Sequence, residues 1–181
     1  MSATILVACI GNIFLGDDGF GVEVASAVLR RKLPENVTVK DFGIRGFDLA
    51  YALLESWEAV ILVDALSRGG TPGTLYLVEP DIAGLSSAGA PDMAMNLHGM
   101  DPVRVLHLAA SMGPIAARVF VVGCEPMDFG DELEGRMGLS MPVQAAVGGA
   151  CAMMSDLIER LRGARQAPGR IERQPLHTAE R

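Results

Sequence analysis

The sequence predicts an α/β domain of three layers: a mostly parallel, twisted five-stranded sheet flanked by helices on both faces. Two observations point there. Apolar runs of strand length alternate with segments of helical period over most of the chain, the pattern of successive βαβ units. One of these runs, AVILVDAL at Ala59 to Leu66, is apolar throughout except for one carboxylate, as expected of a central parallel strand covered on both faces. At 181 residues, half of them hydrophobic, the chain is long enough to bury one substantial core. A single domain over residues 1–163 is therefore expected. Residues 164–181 lack apolar periodicity and read as a disordered tail.

The first strand is TILVACI, Thr4 to Ile10, and it runs directly into the glycine-rich loop GNIFLGDDGFG. FGVEVASAVLRRKL then places Val22, Val24, Ala25, Val28 and Leu29 at helical spacing, with Arg30, Arg31 and Lys32 in the last turn, where cations favour the helix dipole. VTVKDFG, Val37 to Gly43, alternates as a strand, and GFDLAYALLESW, Gly46 to Trp57, has helical period with Leu49, Leu53 and Leu54 on one side. After Ala59 to Leu66 comes the turn chemistry of SRGGTPG, then TLYLVEP as a short strand whose tight connection suits an antiparallel edge. The polar, glycine-rich stretch from Asp81 to Asn96 reads as a long loop. Asp101 is a good N-cap with Pro102 at the first helical position, ARVFVVGCEP is a fifth strand, and Ser140 is expected to cap a long helix carrying Pro142 in its first turn.

A formal net charge of −7 argues against nucleic acid as a partner, because phosphate binding needs a basic surface. It favours cations or a basic partner. The N-terminus has no basic region ahead of its short apolar run and reads as a strand, not a signal peptide, and no membrane span is expected. Cys9, Cys124 and Cys151 show no CxxC spacing and read as buried, reduced thiols of a cytoplasmic protein.

Ligands of such sheets bind at the carboxyl ends of the strands. Here the ends of the first three strands carry Asp17 and Asp18, Asp41, and Asp64. Asp17 or Asp18 also suits the cap of the first helix, leaving the other to face the cleft. Asp64 interrupts an otherwise apolar strand, and an ionised carboxylate there needs a hydrogen bond, a partner or a cation. His98 adds one imidazole, whereas His107 lies in a helical pattern and His177 in the tail. One loop carboxylate, one strand-end carboxylate and one imidazole form an O, O, N set suited to a divalent transition metal. Asp41 sits where a ribose-binding acid is found in dinucleotide enzymes, but the glycines run G-x-x-G-x-G and two aspartates would repel a pyrophosphate.

In their order along the chain, GNIFLGDDGFG after ILVACI, DFGIRG, ILVDAL followed by PGTLYL, the histidine of NLHGMDPVRVL, and VVGCEP resemble the maturation endopeptidases of nickel-iron hydrogenases. The resemblance runs from about Ile5 to Leu161. It implies a protease that removes a C-terminal extension from a hydrogenase large-subunit precursor after nickel insertion, and that uses the substrate's own nickel for recognition. By the same resemblance Asp18, Asp64 and His98 contact that metal, with the apo enzyme expected to hold none. Asp41, in the segment linked to substrate choice, is carried over as a catalytic or specificity residue. Asp18 is one methylene shorter than the glutamate some members have there. The loop's glycines would allow another chain to approach closely while its carboxylates supply hard oxygen ligands. A monomer acting on the nickel-containing precursor is expected.

Two other classes compete. A non-proteolytic module that binds nickel or the precursor would use the same residues, and a dinucleotide enzyme would use the loop for phosphate. A zinc protease lacks its H-E-x-x-H, and no serine or cysteine nucleophile has a base beside it.

Overall fold

The computed structural model describes residues 4–82, 101–130 and 134–163. His98, most of the expected loop at 81–96 and the expected tail at 164–181 lie outside the described residues. The elements are β1 (Ile5–Ile10), a 3-10 turn (Gly16–Gly19), α1 (Phe20–Leu29), β2 (Val37–Gly43), α2 (Gly46–Leu53), β3 (Ala59–Ala65), β4 (Leu75–Val78), α3 (Pro102–Met112), β5 (Arg118–Cys124) and α4 (Met141–Gly163). The sheet order is β2-β1-β3-β5-β4. All neighbouring pairs are parallel except β4, which runs antiparallel to β5 as the edge strand.

Strand alternation sorts the core into two layers. Ile5, Val7 and Cys9 of β1 with Ile61 and Val63 of β3 pack under α1 and α4, against Phe20, Val24, Val28, Val147 and Met154. Leu6, Ala8, Val60 and Leu62 point the other way, under Leu49 and Leu53 of α2 and Val105 and Leu106 of α3. Every residue of β1 and β3 is buried, and each large aliphatic or aromatic side chain so placed contributes about 1.5–3 kcal/mol. The three-layer arrangement expected from the apolar runs is present.

Three expected helix features differ. α1 stops at Leu29, so Arg30, Arg31 and Lys32 lie beyond it; Leu29 is exposed and Val22 only half-buried. Leu33 still packs against this core layer from beyond the helix, and Pro34 disfavours helical geometry at the residue before it. α2 ends at Leu53, not Trp57, and the Trp57 indole N–H turns back to donate to the Ala52 carbonyl at 3.0 Å, satisfying an open helix end. Ser140 precedes α4, but its hydroxyl donates to Asp17 at 2.9 Å. Asp101 does cap α3, accepting from the Arg104 amide at 2.9 Å, with Pro102 in the first turn.

By length and composition α4 would reach across a bilayer, contrary to the expectation that no segment does. One face of it, including Val143, Ala150, Cys151, Met154 and Leu157, is packed into the core, which accounts for its apolar content without a membrane.

Candidate active site

The connection from β1 to β2 passes over one face of the sheet and the connection from β2 to β3 over the other, while β1 and β3 lie side by side. The crevice at the carboxyl ends of β1 and β3 is thus the topological switch point, where ligands of open α/β sheets bind. Asp18 follows β1 and Asp64 lies near the end of β3. Both are buried, Asp18 at 7% and Asp64 at 0% exposure.

Glycine geometry brings the two strand ends and the loop together. A Cβ on Gly21 would lie 2.1 Å from the Ile10 carbonyl oxygen and 2.4 Å from that of Val63. Only glycine lets the first turn of α1 rest on both strands. Gly11, at φ +144°, meets the Asp18 carbonyl so closely that a Cβ would sit 2.0 Å from it. These two glycines therefore serve close contacts within the chain itself. The same contacts leave no cradle for a pyrophosphate at Gly11 or Gly21, which weakens the dinucleotide reading.

Neither Asp17 nor Asp18 caps α1; its N-cap is Gly19, with no side-chain hydrogen bond. Both lie inside the 3-10 turn and go separate ways. Asp18 Oδ2 accepts from the Asn12 amide at 3.0 Å. Asp17, at 0% exposure, accepts from the Met127 amide at 2.8 Å, the Asp128 amide at 3.0 Å, and the Ser140 amide and hydroxyl at 2.6 and 2.9 Å. Burial pushes its carboxyl up, but these bonds outweigh burial and hold it below the ordinary carboxylate range.

Asp64 shares the strand parity of Leu62 and Leu66, which pack in the α2 and α3 layer. Its Oδ1 accepts from the Ala65 amide at 2.8 Å. α3 begins at Pro102 and runs back toward the start of β5, so its N-terminal end lies at the carboxyl edge on this same face. His98 precedes that end in the sequence. Asp41 pairs with Cys9 across β1 and β2 and is exposed. Its Oδ1 accepts from the Gly43 amide at 2.8 Å, and the Arg45 guanidinium donates to its carbonyl. It thus braces the turn into α2 at the outer flank of the crevice.

Glu125, which received no role from the sequence alone, is a second buried clamp. It accepts from the amides of Arg68 and Gly69 at 2.8 and 3.1 Å and from the Tyr76 hydroxyl at 2.8 Å. Burial raises its carboxyl, yet the donors leave it below the usual range, while burial and the Glu125 bond push Tyr76 up to about 12. The signal available in sequence was a carboxylate closing an apolar strand, the same signal that marked Asp64.

The three cysteines are buried and unpaired with one another, as expected. Burial pushes the Cys9 thiol far up, with Asp41, Cys151 and Asp64 adding to the effect. Burial, then Asp17 and Glu125, raises Cys124 to about 12. A thiol held in its neutral form is a poor nucleophile. The chemistry available at the crevice is that of hard oxygen donors, suited to holding a cation and to accepting a proton.

A hydrogenase maturation protease profile matches residues 22–156. Hydrogenase expression/formation protein HupD of Rhizobium leguminosarum bv. viciae is 37% identical over 128 residues, which cover 70% of this chain and 61% of that protein. The chain therefore spans less than two thirds of that relative's length. A solved hydrogenase 2 maturation peptidase from a Thaumarchaeota archaeon is 31% identical, with a TM-score of 0.64 over 86% of this chain and 97% of that one. The hydrogenase maturating endopeptidase HybD from E. coli, 23% identical, shares the fold with a TM-score of 0.67 over 86% of this chain and 92% of its own.

Proposed function

The chain belongs to the hydrogenase maturation protease family, and we propose that it removes the C-terminal extension of a hydrogenase large-subunit precursor once nickel has been inserted. The observation that carries this reading is the pair of buried carboxylates, Asp18 and Asp64, at the switch point between β1 and β3. Two buried anions at one sheet edge favour a cation, and the O, O, N donor set completed by His98 suits a divalent transition metal. The nickel arrives with the substrate, polarising the peptide it is delivered beside. Asp18, Asp64 and His98 hold that centre in register with the crevice. A carboxylate of this set takes the proton from the attacking water.

The surroundings suit a protein substrate. Phe14 in the loop after β1, Ile44 and Phe47 after β2, and Met127 after β5 are all more than half exposed, and they belong to the connections leaving the carboxyl edge. Apolar side chains grouped at one edge favour a macromolecular contact. Asp41, with its braced turn between them, acts on substrate choice. The buried, neutral thiols fit a monomer working in the reducing cytoplasm.

The test is mass spectrometry of nickel-loaded and nickel-free precursor after incubation with the protein. Loss of a C-terminal peptide from the loaded sample alone is expected. Binding of the precursor without shortening would overturn the peptidase reading in favour of a checkpoint or delivery module.

A further inference from the structure

We propose that Asp17 is a positioning residue, the latch that holds Asp18 in the crevice. The role in catalysis rests on the peptidase reading; the latch itself does not. Within the loop, the 3-10 turn Gly16–Gly19 is held by the Asp18 amide donating to the Leu15 carbonyl at 3.1 Å and by the bond from the Asn12 amide to Asp18. Its N-cap, Leu15, and the α1 N-cap, Gly19, both lack a side-chain hydrogen bond, and a single 3-10 turn is weak in isolation. The far side of the sequence adds a second set of bonds. The Gly16 amide donates to the Arg136 carbonyl at 2.7 Å and the Asp17 amide to the Asp128 carbonyl at 3.1 Å. The Asp17 carboxylate then receives four donors from Met127, Asp128 and Ser140, about the full acceptor capacity of a carboxylate.

Successive side chains in a 3-10 turn diverge by about 120°. With Asp17 drawn toward the loop after β5 and the start of α4, Asp18 is turned toward Asn12, whose amide it accepts at 3.0 Å. Gly11 and the Asp18 carbonyl close the loop from behind. Asp18 is thus oriented by a non-local latch on one side and a local bond on the other. Misplacement of a ligand by about 1 Å is enough to lose 100-fold in rate.

The experiment uses the full chain and two variants, Asp17→Asn and the milder Ser140→Ala, with two readouts. Amide hydrogen exchange is followed at Asn12 against Val7 and Ile61 in the sheet centre, and kcat and KM are measured on nickel-loaded precursor. In Asp17→Asn, Asn12 exchange should accelerate about tenfold more than exchange at Val7 and Ile61. The kcat should fall about 100-fold with KM within about threefold. Ser140→Ala should move both in the same direction by less, and it carries the test if Asp17→Asn does not fold. Exchange at Asn12 that rises only in step with Val7 and Ile61 would overturn the latch, leaving Asp17 a purely structural residue. Wild-type kcat in a variant with a loosened Asn12 would overturn the positioning role. Failure of the wild-type chain to cut any precursor sinks the peptidase reading instead, and the exchange comparison still decides the latch.

Discussion

Asp17 and Asp18 are neighbours in sequence, in the same turn, and almost equally buried, yet their bonds lead to different parts of the molecule. The oxygens of Asp17 are occupied by backbone and hydroxyl donors from residues 127, 128 and 140. Asp18 Oδ2 accepts from the Asn12 amide of its own loop, which follows β1. Glu125 repeats the first pattern at the end of β5, gathering the 68–69 turn and Tyr76. Asp64 belongs with Asp18 at the switch point. Burial of a carboxylate therefore does not by itself mark a reactive site. A carboxylate whose acceptor sites are taken up by backbone N–H groups from a distant segment is a clamp, and its energy goes into fixing loops.

Substitutions should separate the two classes. The largest effect on activity is expected for Asp64→Asn and His98→Ala: processing measured by mass spectrometry should drop by about 1,000-fold or more. Melting temperatures should stay within about 2 °C of wild type. An Asp64→Asn chain that unfolds would move Asp64 into the clamp class. Next comes stability: Asp17→Ala orphans buried donors and should cost about 3–5 kcal/mol in urea unfolding, a large share of a domain's total. Glu125→Gln should cost about 2 kcal/mol, with the loss of protection concentrated at the Arg68 and Gly69 amides.

The clamps also set an acid limit. Folding holds the carboxyls of Asp17 and Glu125 below their ordinary values of 3.8 and 4.5. Their stabilisation is complete above those ordinary values and is lost as pH falls through the lower, folded ones. Unfolding free energy measured by denaturant titration should decline on acidification below about pH 4.5, more shallowly in Asp17→Asn. The smallest effect is expected at Asp41, which is exposed: Asp41→Asn should change stability by less than about 1 kcal/mol. Its KM for the precursor should rise more than its kcat falls.

Much of this was legible before any coordinates. The strand and helix order, the antiparallel edge at β4, the Asp101 cap and the gathering of acidic residues at one sheet edge all follow from period, apolar runs and local turn chemistry. Helix ends were less so. α1 and α2 stop short of their apolar pattern, where Pro34 and the Trp57 indole intervene. The clamp role of Asp17 was not legible, since capping was expected there, nor was the use of Gly11 and Gly21 for close contacts within the chain.

By itself, then, the sequence determined the class of fold and the residue types delivered to the crevice, because side-chain periodicity and strand-end chemistry are local properties. Only the tertiary structure decided that Asp17 is a clamp. The donors that make the difference come from residues more than a hundred positions away, and they meet Asp17 only when β5 and α4 have packed beside β3 and α1.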